Sequence, residues 1–292
     1  MTGNSTFGRR LFVVCNTVFL IVLSLLCLFP LVHVFAVSFS SGAAATAGLV
    51  KLWPVQFSTK AYVYIMNKPE FLRAFGVTLQ RVGLGYAINM LMVLLAAYPL
   101  SKESHKFKMR TAYVWYFVFT ILFGGGLIPW YMTVKTTGLL DTIWALVLPG
   151  AVPVFNVILL LNFFRGLPRE IEESAFIDGA GHWITLWRIY VPLSMPALAT
   201  LSLFTLVGHW NAWFDGLILM NFPAHYPLSS YMQKVIIVST PLDGVDIHNL
   251  GEITDRTTKA SQILLASLPI LLVYPFLQRF FIKGIVLGSV KS

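Results

Sequence analysis

The segment EESAFIDGAGHWITLWRIYVPLSMPAL, residues 172–198, is a polar hairpin in a chain that is mostly hydrophobic. It contains three acids, one arginine, two glycines and two prolines. An apolar run ends just before it, and another begins at its end. Its polarity excludes it from a bilayer interior. The segment therefore either connects two membrane spans or binds another protein.

The composition indicates a membrane protein. Of the 292 residues, 57% are hydrophobic and 11% are charged, whereas soluble domains carry about 25% charged residues. The mean hydropathy is +0.75. The net charge of +9 does not point to nucleic acid, because no basic face is interleaved with aromatic residues. Membrane proteins collect lysine and arginine in their cytoplasmic loops, which explains this charge.

Sequence patterns for catalysis or metal binding are missing. Cys15 and Cys27 would lie about 18 Å apart along one helix, too far for a disulfide. The chain has no glycine-rich phosphate loop, no HExxH zinc motif and no GxSxG nucleophile motif. We therefore expect two unpaired thiols and no metal site.

Six apolar runs predict an all-α integral membrane protein with six transmembrane helices in one domain over residues 1–292. The first run is nearly twice as long as the hydrophobic part of a signal peptide and is read as a retained span. The third run contains FGGGLIP, a Gly-Pro break, and the fourth contains Pro149 and Pro153. The runs cover about residues 11–39, 74–100, 111–133, 143–164, 197–220 and 263–281.

Lysine and arginine orient these spans. Twelve lie in the N-terminus, the 102–110 loop, the 165–188 segment and the tail, against eight in the other loops, with Arg81 inside a span. Short loops rich in these residues stay in the cytoplasm, and SKESHKFKMR is the richest. We expect both termini in the cytoplasm and polar loops over 40–73 and 221–260 on the outer side.

The cytoplasmic hairpin 166–196 is predicted to form two short helices. Pro168 suits a first turn, and three glutamates follow at its positive end. Gly179 and Gly181 stop or bend this helix. A second amphipathic helix carries apolar residues at three- and four-residue steps, namely Trp183, Leu186, Trp187 and Tyr190. The hairpin is either a solvated connection or a docking helix, and its length and order favour docking.

The pattern ESAxxDGAxxxxxxxxIxxP, residues 173–192, resembles the EAA signature of ABC-importer permease subunits. Ser174 replaces the usual alanine, and Val191 replaces the usual leucine before Pro192. FGGGLIP, GHWNAWFDGL and KGIVLGSVK resemble one branch of that family, the carbohydrate permeases related to the maltose-transporter subunit, and particularly those for oligosaccharides. The resemblance covers nearly the whole chain from about residue 11.

This resemblance implies a type I importer fold with cytoplasmic coupling helices. Glu173 would be a docking acid, Ser174 and Ala175 the small face in the cleft of an ATPase, and Gly179 the bend after Asp178. The implied partners are a second homologous permease subunit, an ATPase dimer that holds ATP and Mg, and an extracytoplasmic solute-binding protein. The chain would lie in the bacterial cytoplasmic (inner) membrane, hold no cofactor and not be an enzyme.

Polar residues inside the spans are candidates for the substrate path. The segment GHWNAWFDG offers flat rings and hydroxyl-binding amides, which suit a sugar or hold helices together: Trp210, Asn211, Trp213 and Asp215. His209 is read as structural. Arg81 has three possible roles: it reaches the outer headgroups, pairs with Asp215, or faces the pore and meets an acidic substrate.

The predicted function is the permease subunit of an ATP-driven, binding-protein-dependent oligosaccharide importer that works by alternating access. The alternative is a non-transport membrane protein, either an intramembrane enzyme or a sensor subunit. An enzyme would need a catalytic pair at matched depth, and Arg81 with Asp215 is a poor one. Cations in the outer loops and the resembling branch are compatible with acidic, uronate-type oligosaccharides. Acids in the same loops offset part of this charge, so a neutral sugar is an equal alternative.

Overall fold

The computed structural model describes residues 7–237 and 253–289. The regular elements in this part of the chain are helices, and its one β feature is an isolated bridge between Ser40 and Phe57. Within the predicted outer loop 221–260, residues 238–252 lie outside the described residues. In chain order the α-helices are α1 Phe7–Ser38, α2 Gly42–Thr46, α3 Lys60–Met66, α4 Pro69–Ser101, α5 Arg110–Leu122, α6 Leu127–Thr136, α7 Ile143–Val147, α8 Val154–Arg165, α9 Arg169–Ile177, α10 His182–Thr185, α11 Val191–Leu193, α12 Met195–Asn211, α13 Phe214–Leu219, α14 Leu228–Ile237 and α15 Asp255–Ser289. Short 3-10 turns cover Leu148–Gly150 and Pro223–His225, and a π-helical turn covers Leu186–Tyr190.

Membrane-crossing helices occur in two forms. Three helical segments are continuous and apolar enough to cross a bilayer: Leu11–Ser38, Pro69–Ser101 and Asp255–Pro275. Three further spans are helix pairs bent at a short break, by 113° between α5 and α6, by 45° across Ile143–Arg165, and by 83° across His182–Asn211. Six crossings result when each bent pair counts as one span, which agrees with the six predicted apolar runs.

The breaks fall where the sequence provides helix-breaking residues. α5 ends before FGGG, and Gly126 adopts a positive φ of 92° that favours glycine. Pro153 is extended and ends the turn between α7 and α8. The predicted fifth span, 197–220, differs from the structure: α12 ends at Asn211, Ala212 is extended, and α13 starts at Phe214.

The predicted outer loop 40–73 is also more helical than the sequence suggested. It contains α2, α3 and the first turn of α4. Pro69 starts α4 and Glu70 lies in its first turn, a favourable arrangement at the positive end of a helix. The second span therefore begins earlier than residue 74.

The chain packs into two compact units. One joins the segment up to Pro69 with Val235–Ser267, and the other joins Glu70–Lys234 with the residues from Leu268 onward. The core of the second unit gathers the C-terminal half of α4, α8, the π turn and α12, through residues such as Val93, Leu160, Leu186 and Leu201. Compact units need not be independent domains, so the single domain over 1–292 stays a prediction.

Helix α1 presents its apolar side chains outward. Residues from Leu11 to Phe35 are mostly exposed on the protein surface, as a helix that faces lipid or another membrane subunit requires. Cys15 and Cys27 lie on this helix, exposed and unpaired, as predicted. Pro30 is tolerated inside it.

Candidate functional site

Helix α9 divides into an inner and an outer face. Glu172 and Ala175 are buried, whereas Glu173, Ser174 and Asp178 are exposed. Residues three apart share one face of a helix, so Glu172 and Ala175 form a single inward stripe. Ala175 is only 6% exposed and has little surface to offer a partner, which differs from the predicted small docking face. Glu173 and Ser174 do lie on the outer surface, as a docking role requires.

The outer face of α9 ends in an exposed apolar side chain and a tight reversal. Ile177 is 86% exposed although it is a large hydrophobic residue. Gly179 has a φ of 81°, and the amide of Ala180 donates to the carbonyl of Ala175 at 2.9 Å. Glycine favours this left-handed position, and the chain then turns into α10. The predicted bend at Gly179 therefore exists.

The inward acid of α9 forms a buried ion pair that the sequence analysis missed. The Nζ of Lys102, directly after α4, donates to Oε2 of Glu172 at 2.8 Å and to the hydroxyl of Tyr190 at 3.1 Å. The hydroxyl of Tyr190 donates to the same carboxylate oxygen at 2.5 Å. Arg169, in the first turn of α9, pairs with Glu103 and not with Glu172.

The charge of Glu172 is stabilised by these donors. Burial raises the pKa of this carboxyl, but the hydrogen bonds from Lys102 and Tyr190 and the charges of Lys102 and Lys106 outweigh burial and leave the pKa below its ordinary value. Nζ of Lys106 lies 3.6 Å from Oε1 of Glu172. Glu172 is therefore ionised in the folded hairpin at neutral pH.

A second polar cluster lies within the spans, where α12 breaks. Arg81 of α4 forms a two-pronged ion pair with Asp215, with its Nη1 3.0 Å from Oδ1. The same nitrogen donates to the carbonyl of Ala212 at 3.0 Å. That carbonyl lies at the end of α12 and lacks a helical partner, so the guanidinium satisfies both the acid and the helix end. Of the three roles proposed for Arg81, the structure has the pairing with Asp215.

His209 belongs to a hydrogen-bond relay between three spans. Its Nε2 lies 2.8 Å from Oδ1 of Asn89, and the amide of Asn89 donates to the carbonyls of Gly150 and Ala151 at 2.8 and 2.9 Å. Those carbonyls are freed by the break before α8. A Cβ on Gly85 would overlap the imidazole of His209, so α4 approaches α12 closely here. This supports the structural reading of His209.

A cavity of about 770 Å³ lies between the glycine turn after α5 and the break between α12 and α13. It is lined by the FGGG turn after α5, by Trp130, and by three of the four candidates from α12 and α13, namely Asn211, Trp213 and Asp215. Trp210 does not line it: this residue is 7% exposed and packs edge-on against Phe75 at 5.9 Å. The volume falls within the range of sites for small ligands.

An adjoining cavity of about 490 Å³ contains polar residues that the sequence analysis did not select. Asn89, Asn156 and Thr205 line it together with Arg81 and His209. The amide of Asn156 lies 3.4 Å from the hydroxyl of Thr205. The signal that could have found them is their polarity inside apolar runs, because a polar residue in a span is costly unless it has a partner.

Comparison with known proteins agrees with this architecture. No family model matches the chain. The protein LplC of Bacillus subtilis is 41% identical over 100% of this chain and 98% of its own length. The polygalacturonan/rhamnogalacturonan transport system permease protein YtcP of the same organism is 39% identical over 97% of this chain and 99% of its own.

A solved structure carries the same fold. One chain of a bacterial ABC transporter involved in the import of the acidic polysaccharide alginate superimposes with a TM-score of 0.89 at 30% identity, covering 96% of this chain and all of that one. The match confirms the all-α ABC importer permease fold. It also excludes the non-transport alternative, since the relatives are transport components. This chain belongs to the family of carbohydrate permease subunits of ABC transporters.

Proposed function

We propose that this chain is one of two permease subunits of an ATP-driven importer of acidic oligosaccharides, coupled through its hairpin 166–196 to an ATPase dimer. The observation that carries the coupling role is the two-faced helix α9. Its inner face is anchored by the buried pair of Glu172 and Lys102, and its outer face presents Glu173, Ser174 and Ile177. A nine-residue helix is marginal alone in water, and a partner that covers Ile177 would stabilise it.

The partners follow from this assignment. ATP and Mg would bind the ATPase chains, because this chain lacks a phosphate loop. A solute-binding protein would deliver the sugar on the outer side, and a homologous permease would complete the pathway. Both termini and α9 would lie in the cytoplasm, as the positive charge of residues 101–110 favours.

The substrate class is supported by the relatives. YtcP carries a polygalacturonan/rhamnogalacturonan name, and the solved transporter imports an acidic polysaccharide. The 770 Å³ cavity offers the ring of Trp213 and the amide of Asn211, which suit any sugar. Arg81 is neutralised by Asp215, so a neutral oligosaccharide is the second candidate that the structure favours.

Transport assays on the reconstituted complex test this proposal. The chain, purified with its partner chains, is placed in proteoliposomes with ATP inside and binding protein outside. We expect ATP-dependent accumulation of a galacturonate trisaccharide and little accumulation of maltotriose. Accumulation of maltotriose alone would reject the acidic class, and accumulation that does not depend on ATP would reject an ATP-driven importer.

A further inference from the structure

The pair of Lys102 and Glu172 connects the far end of a membrane span to the coupling hairpin. The two residues are 70 positions apart in the chain, and their side chains are only 7% and 10% exposed. The amide of Lys102 donates to the carbonyl of Pro99 at 3.2 Å, so this residue stays fixed to the end of α4. Separating two buried, paired charges would leave each of them uncompensated, so we expect the two side chains to move together.

Two tyrosine rings enclose the ammonium group of Lys102. Its Nζ lies 3.9 Å from the ring centre of Tyr98 and 4.2 Å from that of Tyr190, and these rings meet edge-on at 5.1 Å. Tyr190 ends the π turn that leads into α11 and α12. Phe164 of α8 packs edge-on against Tyr190 at 5.1 Å. The end of α4, α9 and the π turn are therefore held at one point, here named the lysine cluster: Tyr98, Lys102, Glu172 and Tyr190.

Helix α4 links this cluster to the polar site within the spans. It is continuous from Pro69 to Ser101 and carries Arg81, which binds Asp215 and the carbonyl of Ala212. The 21 positions from Arg81 to Lys102 correspond to about 30 Å along a helix, close to the thickness of a bilayer core. One continuous helix thus contacts, through Arg81, the break that lines the 770 Å³ cavity and leads directly into Lys102 at the hairpin.

We infer that Lys102 is a positioning residue for transport, which transmits the movement of α9 to α4 and hence to the Arg81–Asp215 site. The inference rests on the proposed function, because it assumes that an ATPase moves α9. Glu173 would receive the ATPase on the outer face, and Glu172 would pass the displacement inward through Lys102. Without the buried pair, α9 would follow the ATPase while α4 stays in place. ATP would then be hydrolysed without transport.

The test is the ratio of sugar transported to ATP hydrolysed in proteoliposomes that contain the whole complex. Lys102→Met keeps the length of the side chain and removes its charge. Lys102→Met with Glu172→Gln leaves no unpaired carboxylate, and Lys102→Arg keeps a cation. Lys108→Met is the matched control, because Lys108 lies in the same loop as Lys102 and its side chain is exposed.

In Lys102→Met we expect an assembled complex that still hydrolyses ATP. Its transport-to-ATP ratio should be several-fold lower than that of the wild type, because movement of α9 no longer reaches α4. The double variant should assemble as well and stay uncoupled. Lys102→Arg should recover most of the ratio, and Lys108→Met should keep it.

Three results would overturn the inference: a normal ratio in Lys102→Met, a normal ratio in the double variant, or loss of assembly in both, which would mean that the cluster only supports the fold. Failure of the wild-type complex to transport would instead reject the proposed function.

Discussion

Arg81 and Asp215 are 134 positions apart in the chain, yet they form a two-pronged ion pair at the break between α12 and α13. The guanidinium also binds the carbonyl of Ala212, so it has both an acid and a helix end as partners. A cation that is satisfied in this way offers little attraction to an anionic substrate. The pair therefore acts first as a link between α4 and the broken helix.

Replacing Arg81 with Gln should destabilise the protein and lower transport of every sugar equally. It leaves Asp215 without its cation at a partly buried position, which costs at most the about 3–5 kcal/mol of a fully buried broken pair. The double variant Arg81→Gln with Asp215→Asn removes both charges and should recover much of this loss. Thermal melting and substrate-stimulated ATP hydrolysis are the measurements. A selective loss of the acidic sugar, unrepaired in the double variant, would instead place Arg81 against the substrate.

Replacing Glu173 with Lys should weaken binding of the ATPase. Glu173 lies on the exposed face of α9, so the fold should be retained while the docking contact is reversed in charge. A residue central to an interface costs about 2 kcal/mol or more when lost, enough to deplete ATPase from the purified complex. Glu70→Lys makes the same charge change at the exposed start of α4, outside the hairpin, as a control. Equal recovery of ATPase with both variants would contradict the docking role.

Replacing Gly85 with Ala should destabilise α4 packing, whereas the same change at Gly83 should not. A Cβ at Gly85 meets the imidazole of His209, and one at Gly83 meets nothing within 4 Å. Overpacking costs about 1–3 kcal/mol, while alanine in an open helical position is favourable by up to about 1 kcal/mol. Melting temperatures in detergent decide this. Similar values for the two variants would argue against the close approach of α4 and α12.

A labelling experiment tests the orientation. In a background without Cys15 and Cys27, a cysteine at Ser104 should react only from the cytoplasmic side. A cysteine at Thr137, in the turn after α6, should react from outside. Both positions are exposed, so access depends on the membrane and not on burial. The reverse pattern would overturn the orientation drawn from lysine and arginine.

Asp141 predicts a pH dependence of stability at the turn between α6 and α7. Burial raises the pKa of this carboxyl, but hydrogen bonds from His225 and from the amides of Asn221 and Phe222 outweigh it and hold the pKa below its ordinary value of 3.8. The stabilisation is therefore present above that value and is lost as the pH falls through the lowered pKa.

Asp141→Asn isolates the charge, because asparagine also tolerates the positive φ of 61°. We expect a loss of about 1.5–3 kcal/mol at neutral pH and a flatter stability curve in acid. Chemical denaturation between neutral and acidic pH measures both. An unchanged curve would show that the carboxylate does not stabilise this turn.

The amino-acid sequence by itself determined the membrane class, the number of spans and the position of the hairpin. These features depend on local properties: long apolar runs, glycine and proline at the breaks, and polar residues at Pro168–Pro192 that cannot enter lipid. Gly179 and the FGGG turn were predicted for the same reason, since a positive φ is a property of one residue and its neighbours.

Only the tertiary structure decided which residues act together. Lys102 was predicted as one more cytoplasmic charge and Glu172 as one more acid of the first turn, and nothing in the sequence joins two positions so far apart. Trp210 and Trp213 look alike in GHWNAWFDG, yet one is packed against Phe75 and the other lines a cavity. The reason is physical: side-chain partners depend on how helices approach one another in space, and a linear pattern does not encode that approach.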